Sequence, residues 1–156
     1  VNVMAQVYAA RAVIPGMLQR GRGYIVNIAS AAGLLSQIGD SAYSATKHAS
    51  VGFTESLAIN YGDDGISVSV VCPQAVATRM IGMEDDSDSE AGGFGGNDVD
   101  GILRPEEVAD IIVDQALSGR FLILTHPQVA TYLQRKAGDY DRWIGGMRRF
   151  RRSLAK

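Results

Sequence analysis

Three short apolar runs constrain this chain more than any other feature: YIVNIA at 24–29, ISVSVVC at 66–72 and FLILT at 121–125. Each is rich in β-branched or aromatic residues, too short for a buried helix and bounded by turn formers, so each reads as a strand. Their near-continuous apolar character predicts burial on both faces. Segments of helical period and length separate them, at 42–61 and 105–117. Strand, helix, strand, helix, strand, with intervening helices of this length, is the pattern of right-handed crossovers in a parallel sheet. The fold class is therefore α/β, with about three parallel strands flanked by helices.

The remaining segments fit around that frame. In residues 1–20 the positions Met4, Val7, Tyr8, Ile14, Met17 and Leu18 follow a helical period, with a kink or early end expected at Pro15-Gly16. A Ser/Ala/Gly loop follows the first strand. Ser41 is the expected cap of the next helix, on which Ala42, Ala45, Ala49, Gly52, Phe53, Ser56 and Leu57 form a stripe of mostly small residues suited to close packing. Residues 79–103 place Glu84, Asp85, Asp86, Asp88, Glu90, Asp98 and Asp100 among glycines, which predicts a solvated loop, a candidate substrate lid. Pro105 opens the following helix, with Glu106 and Glu107 at its positive end.

Composition narrows the function. With 46% apolar residues in 156, the chain supports one core, and a formal net charge of −2 gives no field for nucleic acid. A single cysteine, Cys72, allows neither an internal disulfide nor a zinc cluster. His48 and His126 lack paired ligand spacing and read as structural, so no metal is expected. No apolar run approaches the ~20 residues of a membrane span. The expectation is a soluble, cytoplasmic protein without a signal peptide.

The chemistry lies in Ser30, Tyr43 and Lys47. Tyr43 and Lys47 are four apart on one helix and share a face. A phenol titrates near ~10 and needs a neighbouring cation before it can exchange protons at neutral pH. Lys47 is that cation. Ser30 ends the first strand, where open parallel sheets bind ligands. A second pair of the same spacing, Tyr132 and Lys136, follows no strand and has Gly119, not a serine, 13 residues upstream. Asn2 adds a fourth polar residue, 28 before Ser30.

Asn2, YIVNIAS ending at Ser30, YSATKHA from Tyr43 through Lys47, VVCP ending at Pro73, and Val76-Ala77-Thr78 together resemble the short-chain dehydrogenase/reductase family, catalytic half. The likeness runs from Asn2 to about Thr125. It implies a Rossmann-like sheet and an NAD- or NADP-dependent oxidoreductase acting on a secondary alcohol or its carbonyl. By that likeness Ser30 bonds the substrate oxygen and Tyr43 exchanges the proton. Lys47 favours the tyrosine's ionised form and holds the nicotinamide ribose, and Asn2 keeps a water in the proton relay. Pro73, Val76 and Thr78 belong to the loop that meets the nicotinamide. The residue after Pro73 is usually glycine in relatives and is Gln74 here; glutamine does not take positive φ cheaply, so an altered loop is expected. A homodimer or homotetramer is implied through the helix bearing Tyr43 and the one before it.

The family's glycine-rich phosphate loop lies roughly a hundred or more residues before its tyrosine, whereas this sequence starts 42 before Tyr43 and without methionine. The cluster at 92–96 lacks the strand and helix that such a loop requires. Residues 1–125 thus read as the catalytic half of a Rossmann-type domain and 126–156 as a helical, basic extension. The alternative is an inactive dimerisation or regulatory module, in which the first strand is left as an open sheet edge. In the extension, Trp143, Ile144, Met147, Phe150 and Leu154 face away from Arg142, Arg148, Arg149, Arg151 and Arg152. Such a helix packs on its own domain or a neighbouring subunit, or lies on an anionic membrane.

Overall fold

The computed structural model describes residues 2–78 and 100–154. Its elements are α1 (Met4–Arg20), β1 (Gly23–Ile28), α2 (Ala32–Leu35), α3 (Ser41–Tyr61), a 3₁₀ turn (Gly62–Asp64), β2 (Ile66–Val71), α4 (Pro105–Leu117), β3 (Leu122–Ile123), α5 (Gln128–Gly138) and α6 (Tyr140–Leu154). The strands pair in parallel in the order β1-β2-β3, with Gly23 opposite Ile66 and Val71 opposite Ile123. The expected α/β class, its parallel sheet and its three strands are all present, with β1 and β3 at the two edges among the described residues.

Helices cover the sheet on two sides. On one, Ala10 and Ile14 of α1 and Leu57 of α3 pack on Ile66 and Val68 of β2. On the other, Ala116 of α4 closes over Val71 and Ile123, with Ile111 and Ile112 alongside. Helix α4 does not extend to β1, and this corrects the reading of that strand as buried. Its burial alternates, and Tyr24, Val26 and Ile28 are 59%, 37% and 48% exposed.

Four local expectations change. Helix α1 runs unbroken through Pro15; the carbonyl that proline deprives of a partner belongs to Arg11, on the exposed side, where water can serve it. The cap of α3 is Asp40, whose carboxylate accepts the Tyr43 N–H at 2.8 Å, and Ser41 already lies inside the helix. The small-residue stripe on α3 is mostly outward: Ala42, Ala45, Ala49, Gly52 and Ser56 are exposed, while Ser44, Ser50, Thr54 and Leu57 are buried. Part of the segment after β1 does contain a helix, the single turn α2, where a loop was expected. Of the acidic segment 79–103, residues 79–99 lie outside the described ones. Leu103 at its end pairs with the β2 side through a parallel bridge to Val76.

The extension is joined to the core. Val129 of α5 is fully buried against Ala31 and Leu35, and Trp143 of α6 leans on the same cluster. Among the described residues no helix is long and apolar enough to cross a membrane.

Candidate active site

Ser30 follows β1 directly. Its Oγ accepts the Ala32 N–H at 3.1 Å and points toward the Pro73 carbonyl at 3.5 Å, a marginal contact. The Ala31 N–H donates to that same carbonyl at 2.8 Å. The carboxyl ends of two neighbouring strands are thereby tied together at the serine. From there α2 packs along α3, most closely where Gly33 meets Lys47. A Cβ on Gly33 would stand 2.6 Å from the Lys47 carbonyl oxygen, so only glycine lets the two backbones approach this closely.

On α3 the Lys47 ammonium sits 5.4 Å from the centroid of the Tyr43 ring, within cation–π range. Burial lowers the lysine's pKa from its ordinary value, and interaction with Cys72 raises it in part. Cys72 ends β2 with no exposed surface. Burial pushes its thiol up to about 12, opposed by the Ser30 backbone and by Lys47, so it stays protonated at neutral pH and serves as a small apolar group. The Lys47 backbone lies against Gly33, just past the carboxyl end of β1. Among the described residues the Tyr43 hydroxyl has no hydrogen-bond partner, and the ring is only partly buried.

The second tyrosine–lysine pair has a different environment. The Tyr132 hydroxyl donates to Asp100 at 2.9 Å, which raises its pKa. Lys136 is buried, donates to the Leu34 carbonyl and lies 3.5 Å from His48 Nε2. His48 Nδ1 is 2.9 Å from the Ser44 carbonyl, an acceptor only, so Nδ1 carries the proton and Nε2 can accept from Lys136. Lys136 thus ties the extension to α2 and α3, while the Tyr132 hydroxyl ties it to Asp100 ahead of α4.

Asn2 lies in the turn before α1 and donates to Thr46 Oγ1 at 3.4 Å, one residue before Lys47. After β2, the Ala77 N–H donates to Leu103 at 2.8 Å and the Leu103 N–H to Ala75 at 3.2 Å, which pins Val76 between them. Thr78 is half-buried at the end of this loop. Gln74 does not adopt positive φ; among the described residues Ser36, at +68°, is the one non-glycine that does. The loop thus accommodates glutamine without backbone strain, and the buried Gln74 Oε1 has no hydrogen-bond partner among the described residues.

Sequence reasoning missed the polar chain that aligns these elements. Ser50 donates to Gln6 Oε1 at 2.7 Å, Thr54 to the Ser50 carbonyl at 2.7 Å and Asn27 to Thr54 at 2.9 Å, linking α1, α3 and β1. The one available signal was an asparagine inside an otherwise apolar strand. It also missed Ser36, whose φ places it in a region costing of order 1–3 kcal/mol. Ser36, Ser44 and His48 line a shallow cleft of about 390 Å³ on α3. Among the described residues no group of three His, Cys, Asp or Glu side chains is gathered to hold a metal.

A parallel sheet with helices on both sides and a tyrosine–lysine face at its carboxyl edge defines a Rossmann-type α/β protein. The family model for short chain dehydrogenase matches residues 1–89, and the chain belongs to that family. An inactive 2-(S)-hydroxypropyl-CoM dehydrogenase 2 from Xanthobacter autotrophicus is 36% identical over 118 residues, covering 72% of this chain and 51% of that protein. A D-beta-hydroxybutyrate dehydrogenase from Rhizobium meliloti is 30% identical over 146 residues, 94% of this chain and 53% of that one. Among solved structures, a short chain dehydrogenase/reductase from Burkholderia phymatum in complex with NAD superimposes with a TM-score of 0.70 at 27% identity, over 90% of this chain and 56% of that one. The chain spans about half the length of these relatives.

Proposed function

We propose that this chain forms the catalytic half of an NAD- or NADP-dependent oxidoreductase that interconverts a secondary alcohol and its carbonyl. The observation that carries the reading is the Lys47 ammonium over the ring of Tyr43, whose hydroxyl is unengaged among the described residues. In this mechanism Ser30 donates a hydrogen bond to the substrate oxygen and Tyr43 gives or takes the proton on that same oxygen. Lys47, poorly solvated, stabilises the tyrosine's negative charge while the proton is away. Asn2, anchored to α3 through Thr46, supports a water on the proton's route to solvent.

When bound, the nicotinamide donates or accepts the hydride. The residues present fit its ribose and ring end. Tyr43 and Lys47 would hold the ribose, and Pro73, Val76 and Thr78 would line the ring. The unpaired Gln74 Oε1 supports this, because a buried acceptor without a donor costs about 1–3 kcal/mol and a carboxamide N–H would supply one. Residues 126–156 belong with 1–125 in this reading, since α5 is anchored by Val129 and Lys136. A homodimer or homotetramer is supported by apolar side chains left exposed on the outer helices, Tyr8 at 62% and Ile59 at 78%. The single unpaired thiol fits a cytoplasmic site of action.

The test is Tyr43→Phe in the complete enzyme. Turnover is expected to fall by about 10²–10⁴-fold, the usual worth of a general acid–base, while cofactor binding persists. Retained turnover would overturn the assignment. A second reading, an inactive module that pairs with another chain, is favoured by one observation: β1 presents both an open edge and an exposed apolar face.

A further inference from the structure

The extension holds a cleft that the oxidoreductase reading does not use. It encloses about 660 Å³ between α5 and α6 and is lined by Arg135, Asp139, Arg142, Trp143, Gly146 and Arg149 among others. That volume is in the range of small-molecule sites. Three arginines from two helices, Arg135 of α5 and Arg142 and Arg149 of α6, line this one space.

Three features make this more than a charged helix face. Among the described residues, no ion pair is made by Arg135, Arg142 or Arg149; the pair found there is Arg104 with Glu107. The one acid in the lining, Asp139, is already engaged: its Oδ1 accepts the Arg142 N–H at 2.9 Å and caps α6. The cleft therefore keeps a positive excess that nothing described neutralises. Second, α6 carries Gly145-Gly146 mid-helix, each costing roughly 1 kcal/mol relative to alanine. The Arg149 side chain lies back over them, with Nη1 and Nη2 at 3.7 and 3.9 Å from where Cβ atoms on Gly145 and Gly146 would stand. Alanine would fit there, but any longer side chain would compete with the guanidinium for this space. Third, Trp143 is fixed against the Val129 cluster and gives the cleft one rigid aromatic wall.

We propose that this cleft binds a phosphate group, as a phosphate ester or pyrophosphate. Guanidinium forks match phosphate oxygens in bidentate pairs, and a ligand of two or more negative charges balances three arginines against one acid. The indole offers a flat face to an organic group attached to the phosphate. The same chemistry is presented by a soluble phosphate ester and by an anionic lipid headgroup, and the experiment separates them.

Trp143 is the one tryptophan in the 156 residues, so its fluorescence reports on the cleft. Inorganic pyrophosphate titrated into the full chain at constant ionic strength is expected to give a saturable change. Arg142→Gln and Arg149→Gln should each weaken it by about tenfold or more, the loss of one charge-assisted contact. Arg152→Gln removes equal charge from the same helix outside the cleft and should leave the affinity within about twofold. Circular dichroism of each variant checks that α6 persists, and an arginine-to-lysine change at 149, with partial recovery, guards against a folding artefact. A response to phosphatidylglycerol vesicles alone, abolished by Arg149→Gln, assigns the phosphate to a lipid headgroup. Absence of a saturable response to both ligands, or equal weakening by Arg152→Gln, overturns the proposal.

Discussion

His126 is nearly inaccessible, with Nδ1 2.9 Å from Thr125 Oγ1 and Nε2 3.3 Å from the Gly101 carbonyl. The carbonyl can only accept, so Nε2 carries the proton and Nδ1 receives the threonine hydroxyl. Burial lowers its pKa, against smaller opposing effects of Gly101 and Asp100. The folded chain thus binds a proton less readily than the unfolded chain. Its contribution to stability is fully present above an ordinary imidazole value near ~6.5 and is lost as pH falls from there through the folded value. Thermal melts between pH 7.5 and 5.5 should show a decline that His126→Asn largely removes, since asparagine is uncharged throughout. An identical slope in the variant would show that another group is responsible. Single residues were unequally legible. The Tyr43–Lys47 face follows from helical spacing alone, whereas the partners of Asn27, Ser50 and Thr54 lie on other elements, and no local pattern encodes them.

Among the elements, α2 matters beyond its four residues. It was not legible because a single turn has no periodicity to detect, yet Gly33 sets how closely it rests on α3 at Lys47. Gly33→Ala should destabilise the fold by about 1–3 kcal/mol through overpacking, and should displace Lys47, so that activity of the complete enzyme drops where the remaining fold does not. The control is Gly52→Ala on α3, where an added Cβ meets nothing within 4 Å; it should stabilise by up to about 1 kcal/mol. Equal melting temperatures and turnover in the two variants would refute the argument. Helix α4, by contrast, was read in place, since Pro105, Glu106 and Glu107 are strong local start signals and Glu107 accepts the Arg104 N–H at 2.9 Å. The cap of α3 was misread by one position because aspartate and serine stand side by side and both can cap.

At the scale of the whole molecule, what the apolar runs could not reveal is which strand faces stay uncovered. Residues 24–29 look as buried as 66–72, and the difference arises because α4 packs on β2 and β3 alone. An open edge with Tyr24, Val26 and Ile28 beside it is a template for another strand. Size-exclusion chromatography with light scattering on the chain alone should give a mass above the 16.6 kDa of one copy, and Val26→Lys should shift it toward the monomer. A monomer without any substitution would contradict the pairing.

The parallel register also governs how the chain reaches this state. Gly23 meets Ile66 and Ile28 meets Val71, so every rung between the first two strands closes a loop of more than forty residues that contains all of α3. Among the described residues both strand pairs are parallel, so neither is a hairpin. The rungs between β1 and β2 close a segment that includes the helix carrying Tyr43 and Lys47. Non-local closure of this kind slows folding, and it ties the pairing of β1 with β2 to the closure of the segment that carries the tyrosine–lysine face.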